Sequence, residues 1–426
     1  MIKKMYFLSF MLLACFSAFG QITLDDCYDK ARANYPLIKR YDLIEKAQEY
    51  SLSNVSKMWL PQFSLSAKAT YQSDVTKIPI DFSQIPIPQL AAITIPSLSK
   101  DQYAVSLELD QTIWDGGITK AKREEIRAKN AADKQDVEVN LYALRDRVDQ
   151  IYFGVLLCDA MLEQNRLFQN QLQINYDRIG KLVKGGLANQ SDLDAIHVGQ
   201  LKAKQGETQI MHGRKTYLDM LSAFIGQKLD DSIVLEKPSG IQNLDMEIKR
   251  PELSLFDANL ASLNAMKKEV NSSLMPKIGF FVVGGYGKPA LNMLKNEFST
   301  YYIGGVRLAW NISSFYTHKN SLALLKTNYD NIEVMRETFL FNNELGQKAK
   351  SNEIEKYKDL LKSDDEIVGL HTSIRKSAEA QVQNGTMSVT DLMQKSNEEQ
   401  SARQDRAVHE IQMLQAIYNL KFITNN

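Results

Sequence analysis

The same turn occurs twice in this chain. "LVKGGLANQSDLDAI" begins at Leu182 and "AQVQNGTMSVTDLMQ" at Ala380. Each runs from a Val to a Gly three residues on, then to an Asp-Leu pair six residues later. Gly186 and Gly385 are 199 positions apart, and so are Asp192 and Asp391. Glycine supplies the left-handed backbone that ends a helix. The repeat therefore predicts two helical hairpins, one in each half of the chain.

The prolines mark where those helices can run. All ten lie outside 97–237 and 290–426, and proline breaks helix interiors. In the first stretch apolar residues recur at Val137, Leu141, Leu144, Val148, Ile151, Val155, Cys158 and Leu162, then at Leu172, Tyr176, Ile179 and Val183. The 4-3 spacing is a coiled-coil seam, interrupted at Asn165 and Gln169. It predicts one helix from Ile118 to Lys184, about 100 Å long at 1.5 Å per residue. A return helix follows from about Ser191 to Phe224. The second half repeats the plan with a less regular seam: Thr317 to Gln383, a turn at Asn384-Gly385, then Ser388 to about Ile423. Each return helix is only about half as long as its partner. The amphipathic segments 24–58 and 251–274 are the candidates to continue them in line.

Four segments have a different period. "QFSLSAKATY" sets Phe63, Leu65, Ala67, Ala69 and Tyr71 against Gln62, Ser64, Ser66, Lys68 and Thr70. "YAVSLELDQTI" alternates likewise, and "KIGFFVVGGYG" and "TYYIGGVRLAWNI" repeat the theme with more glycine. Period two means strands with one apolar and one polar face. Lengths near ten and the aromatic residues Tyr71, Tyr103, Trp114, Tyr286 and Trp310 suit a transmembrane barrel. Lys68, Glu108, Asp110 and Arg307 on the polar face suit water. A small sheet packed on a soluble core is the competing reading, but the helices show no spare face to cover one. Four strands cannot close a barrel, and open edges are not tolerated in lipid. Further copies must complete it: three give twelve strands, while two or four also satisfy closure.

The N-terminus "MIKKMYFLSFMLLACFSAFGQ" has a positive start, a short apolar run and a small-x-small site, Ala18-Phe19-Gly20. It reads as an export signal cleaved after Gly20. Lipidation at Cys15 after "LLA" competes, although Leu13 suits it poorly. The mature chain then keeps Cys27 and Cys158, which fall in apolar helical patterns and read as buried free thiols. No later stretch of 18 apolar residues suggests a spanning helix. Lys+Arg and Asp+Glu are both 51, which argues against a nucleic-acid partner.

In this setting the residues resemble a known family, the TolC-like outer-membrane efflux proteins of Gram-negative bacteria. "ITLDDCYDKARANYPLIK" looks like the family's opening helix. "MWLPQFSLSA" and "SLMPKIGFF" resemble the approach to its first and third strands, and "QTIWDGGITKAK" its strand-to-helix joint. Gly186-Leu187 and Gly385-Thr386 fit its hairpin turns. The resemblance covers nearly the whole mature chain. It implies an α+β membrane protein of two structural repeats: a long antiparallel coiled-coil α-barrel, with four β-strands per chain in a trimeric 12-stranded transmembrane β-barrel. It implies an exit duct for efflux or type I secretion, working with a periplasmic adaptor and an inner-membrane pump.

The resemblance also makes Gly185, Gly186, Leu187, Asp192, Leu193, Asn384, Gly385, Thr386, Asp391 and Leu392 the periplasmic tips that dock the adaptor. Asp391 stands where the family places an inward acid that closes the tunnel. Gln394 stands where some members have a second, so a double acidic ring is in doubt. "NISSFYTHKN" lacks the Gly-Gly of "WDGG", which leaves its turn geometry open.

The expected organisation is a signal over 1–20, a first repeat over 21–240 and a second over 241–426. The first holds a helix, strands 62–72 and 103–114, a long helix 117–184 and a return helix 188–226. The second holds a helix 251–275, strands 276–287 and 300–312, a long helix 317–383 and a return helix 388–424. The Pro-rich insert of the first repeat, within 77–100, is expected outside the cell. Five histidines without metal-ligand spacing and no phosphate-binding glycine loop argue against an enzyme, and no cofactor or metal is expected. A periplasmic adaptor or structural coiled-coil protein is the rival. It explains the heptads but not four alternating strands in two matched pairs.

Overall fold

In a computed structural model the described residues are 22–76, 97–240 and 245–425. The export signal, Cys15 and most of the Pro-rich insert lie outside them. Helix α1 spans Leu24–Asn34, followed by a 3-10 turn Pro36–Lys39 and α2 (Arg40–Lys57). Strands β1 (Gln62–Tyr71) and β2 (Asp101–Trp114) lead to α3 (Ile118–Tyr142), α4 (Leu144–Lys184) and α5 (Gln190–Ile225). The second half holds α6 (Pro251–Ser272), β3 (Lys277–Lys288), β4 (Ser299–Ala309), α7 (Ser314–Gln383) and α8 (Val389–Thr424).

Two compact units result, and the chain passes between them repeatedly. One comprises the residues up to Arg40, Asp136–Ser254 and those from Arg336 on; the other comprises Tyr41–Gln135 and Leu255–Met335. The contact boundaries therefore cut across the two sequence halves.

In the first unit the expected seam is the core. Val137, Leu141, Leu144, Val148, Ile151, Val155, Cys158, Leu162, Leu172 and Ile179 are all buried. Leu218, Leu221 and Ile225 of α5 pack on this seam with Cys27 and Ala31 of α1 and Ile411 and Leu414 of α8. The return helix does end where α1 takes over. Gly226 closes α5 in the left-handed region at φ 66, and the Asn34 side-chain amide donates to the carbonyls of Ala223 and Phe224, both at 3.1 Å. The last carbonyls of one helix are thus satisfied by the other. Tyr152 ties the chain ends of this region together, donating to the carbonyls of Ile22 and Glu236. Cys27 and Cys158 are buried free thiols. Burial pushes the Cys27 thiol up to about 12, so it stays protonated and unreactive.

The expected 67-residue helix is interrupted. Ala143, at φ −61 and ψ −16, separates α3 from α4. The interruption falls where Tyr142 stacks on Phe422, with ring centroids 4.9 Å apart, and donates its hydroxyl to the Phe422 carbonyl at 2.6 Å. Heptad spacing does not register such a contact, because its partner lies 280 residues away.

The second unit holds one antiparallel sheet in the order β1-β2-β3-β4. Phe63 faces Leu109, Leu65 faces Leu107 and Ala67 faces Val105. Leu107, Leu109 and Val105 in turn face Gly284, Val282 and Tyr286. Those three oppose Tyr302, Gly304 and Thr300. Register thus gathers the apolar residues of β1 and β2 on one face with Val282, Tyr286 and Tyr302, while Phe281, Val283 and Ile303 share the other face with Glu108 and Asp110.

The two strand-to-helix joints solve the same problem differently. Before α3, Gly116 and Gly117 adopt φ 73 and 88. A Cβ on Gly116 would lie 2.5 Å from that of Met275. Asp115 caps the helix by accepting from the amides of Gly117 at 2.9 Å and Thr119 at 2.8 Å. Its burial opposes ionisation, but these hydrogen bonds hold its carboxyl below the usual range. Before α7, Ser314, Phe315 and Tyr316 instead donate to the carbonyls three residues back. Consecutive tight turns replace left-handed glycines there, so the missing Gly-Gly changes the joint and not the element order.

Candidate functional site

The two turns are superimposable in their hydrogen bonding. In the first, the amides of Gly185, Gly186 and Leu187 donate to the carbonyls of Lys181, Val183 and Leu182. In the second, Asn384, Gly385 and Thr386 donate to Ala380, Val382 and Gln381. Gly186 stands at φ 73 and Gly385 at φ 70. The bond reaching back five residues, with a left-handed glycine before its donor, is the Schellman arrangement that closes a helix C-terminus. A Cβ at either glycine would meet nothing within 4 Å. Backbone conformation, not space, requires glycine there.

The Asp of each turn caps the return helix. Asp192 accepts from the Asn189 amide at 3.0 Å in a capping box. Asp391 accepts from the Ser388 hydroxyl at 2.7 Å, while that hydroxyl accepts from the Asp391 amide at 3.1 Å. Asn189 and Ser388 are members of the site that the reading above left out. The three-residue spacing to an acid was their sequence signal.

Beneath the turns the two hairpins share one apolar cluster. Leu172 and Ile179 of α4, Ile196 and Ala203 of α5, Ala378 and Val382 of α7, and Val389, Leu392 and Met393 of α8 are buried together. Leu392, expected at a docking surface, is 1% exposed. It fills this cluster and presents no surface, which corrects that expectation; Leu193 is half-buried against the same cluster. Leu187 is the opposite case. It is 79% exposed, a large apolar side chain held out at a turn. Gly185, Gly186, Asn384, Gly385, Thr386 and Asp391 are exposed, and Asp192 is half-buried.

Just behind the cluster lies a charged network. Glu399, 5% exposed, accepts from Arg375, from Thr372 at 2.7 Å and from Arg403 at 2.7 Å. Burial opposes its ionisation, but Thr372, Arg403 and Arg375 hold the carboxyl below its ordinary range. Gln171 of α4 reaches Glu379 of α7 at 2.7 Å. No spacing rule singles these residues out, since they come from three helices.

The second unit carries its own unusual surface. Phe63, Leu65, Val105, Leu107, Phe280, Tyr302, Val306 and Leu308 are all exposed, Leu65 by 75% and Val306 by 70%. They share the apolar face of the sheet. On the other face Arg307 pairs with Glu108 at 3.1 Å and Asp110 at 3.2 Å. β1 and β4 are the sheet's edges, each paired on one side only. No described helix is long and apolar enough to cross a membrane.

No protein-family model and no curated sequence matches the chain. Solved structures do. The outer-membrane channel OprN superposes with a TM-score of 0.68 at 14% identity, over 94% of this chain and 89% of its own. This chain has the TolC-like channel fold. VceC, an outer membrane protein of Vibrio cholerae, matches at 0.64 and 13% identity over 94% of both chains. The MtrE outer membrane channel of Neisseria gonorrhoeae matches at 0.64 and 12%, over 95% of this chain and 89% of that one. The TolC-like fold accounts for the element order of both halves, helix to strand pair to long hairpin.

Proposed function

We propose that this protein is an outer-membrane exit duct. The observation that carries the proposal is the sheet: a continuous exposed apolar face, an opposite face that carries the charges Lys68, Glu108, Asp110 and Arg307, and two open edges. In water such a face is a liability, and in lipid open edges are excluded. A barrel closed by several copies resolves both, with lipid against Leu65, Leu107 and Val306 and water against Lys68, Glu108 and Arg307. Three copies supply twelve strands. The chain then spans the outer membrane by strands and extends into the periplasm by helices, moving solutes without chemistry of its own.

On this reading the turns face the periplasm. Leu187 and the backbone around Gly186 and Gly385 receive a periplasmic adaptor joined to an inner-membrane pump. The exposed Leu187 supports this, because a docking partner gives that side chain its burial. Asp391 serves both as helix cap and as the acid of a closed tip. Three such carboxylates facing one another repel unless screened. Asp391→Ala should therefore raise the conductance of the reconstituted channel; unchanged conductance removes Asp391 from the gate.

The deciding experiment is membrane fractionation of the mature protein followed by its mass in detergent. An outer-membrane trimer supports the duct. A soluble monomer or dimer in the periplasm overturns it and restores the adaptor reading.

A further inference from the structure

Between α4, α7 and α8, behind the tip cluster, lies a cavity of about 220 Å³ lined in part by Gln171, Arg375, Ser396, Glu399, Gln400 and Arg403. Both carboxylate oxygens of Glu399 are already used. Glu399 Oε1 takes Thr372 and Arg403, and Oε2 takes Arg375. The cavity's donors are not all used. Arg375 bonds through Nε and Nη1 and Arg403 through Nε and Nη2, so one terminal nitrogen of each makes no hydrogen bond among the described residues. The Ser396 hydroxyl, on a residue 2% exposed, has no hydrogen-bond partner among the described residues.

Charge points the same way. Arg375 and Arg403, with Arg178 placed 3.4 Å from Glu379, bring three positive charges. Glu379 and Glu399 bring two negative ones, which leaves one positive charge in excess. The buried Ser396 hydroxyl without a partner among the described residues is costly, and the two guanidinium groups beside it match oxyanions in shape and charge.

We propose that this cavity binds a small oxyanion, phosphate or a simple carboxylate. Bound there, it accepts from Arg375 of α7, from Arg403 and Ser396 of α8, and lies against Gln171 of α4. It ties the second hairpin to the first immediately behind the turns. The cavity has room for such an ion with part of its hydration, since a water occupies about 30 Å³ of liquid.

The test is calorimetric titration of the full mature protein in detergent with sodium phosphate, sodium acetate and, at matched ionic strength, sodium chloride. Saturable binding of phosphate or acetate beyond chloride is the expected result, and the stronger of the two identifies the oxyanion class. Gln400→Glu places a carboxylate among the spare donors while leaving the Glu399 pairs in place. It should weaken binding by about tenfold or more, the effect of about 1.4 kcal/mol. Gln394→Glu, on the exposed face of the same helix, should leave it unchanged. Should the two variants behave alike, or chloride match both oxyanions, the proposal is overturned. The titration reads binding directly, whether or not the protein proves to be a duct.

Discussion

In the first hairpin α4 meets α5 through Val148, Ile151 and Val155 against Leu218, Leu221 and Ile225. In the second, half of the buried residues of α7 are polar or charged: Asn343, Gln347, Asp364 and Arg375. It does have apolar patches, with Ile354 and Tyr357 against Ala416, Ile417 and Leu420. Between these and the turn it is joined by Arg375–Glu399, by Asp364–His409 at 2.7 Å and by Asp365–Arg406 at 2.6 Å. Small residues also draw the first hairpin close: a Cβ on Gly154 would strike the Tyr217 ring at 2.8 Å. Both hairpins end in the same turn and differ in what holds their helices. Separating an apolar seam exposes hydrocarbon with no compensation, whereas a charged interface recovers hydration when it parts. The comparison marks the second hairpin as the one better suited to shift against its neighbour.

The largest expected effect comes from stranding a charge in the second hairpin. Arg375→Met leaves Glu399 buried beside Arg403 alone and should destabilise by roughly 3–5 kcal/mol. Adding Glu399→Leu should restore most of that loss. Denaturant unfolding of the single and double variants measures both. If the double variant is no better than the single, the charged interface is not replaceable by apolar packing. In the first hairpin the corresponding test is Leu221→Ala, at a fully buried position. It should cost about 2–5 kcal/mol, and no second substitution across the seam should rescue it.

Asp149 sharpens the comparison, because it puts an acid in the apolar hairpin. It is 1% exposed and accepts from the Tyr28 hydroxyl. Burial raises its carboxyl from 3.8 to about 7, against the hydrogen bond from Tyr28, which lowers it. The folded chain therefore holds this proton more tightly than the unfolded chain. Its contribution to stability is complete below about pH 4 and is lost as pH rises to about 7, on the order of 3–4 kcal/mol in all. Unfolding free energy followed over that window should fall for the wild type. In Asp149→Asn that component of the slope should vanish; an unchanged slope would show that other groups set it.

The smallest effects belong to the features that the hairpins share. Ser388→Ala removes the cap of α8 and should cost about 1 kcal/mol. Gly385→Ala, at φ 70, should cost about as much. Gly186→Ala should match it, since the two turns have the same bonds. A clear inequality between the two alanine variants would mean that the surroundings, not the turns, set the cost.

Much of this protein was determined by its sequence alone. Periodicity named most of the seam from Val137 to Ile179, because a helix repeats every 3.6 residues whatever it packs against; Tyr176 and Val183 are only half-buried, and the buried Asn175 fell outside the pattern. Alternation named the four strands and, in β1 and β2, the face that is apolar. The glycines announced both turns, since a left-handed residue at a helix end is a local requirement. Tertiary structure decided the rest. That Asp192 and Asp391 serve as caps was readable from Asn189 and Ser388 three positions earlier. That Leu392 points inward was not, because the helices of two hairpins meet around it. Tyr28 finds Asp149 across 121 residues, Gln171 finds Glu379 across 208, and Tyr142 finds Phe422 across 280. Helical and strand periods are properties of a short stretch of backbone. The partner of a buried charge depends on which distant helix lies beside it, and only the assembled fold settles that.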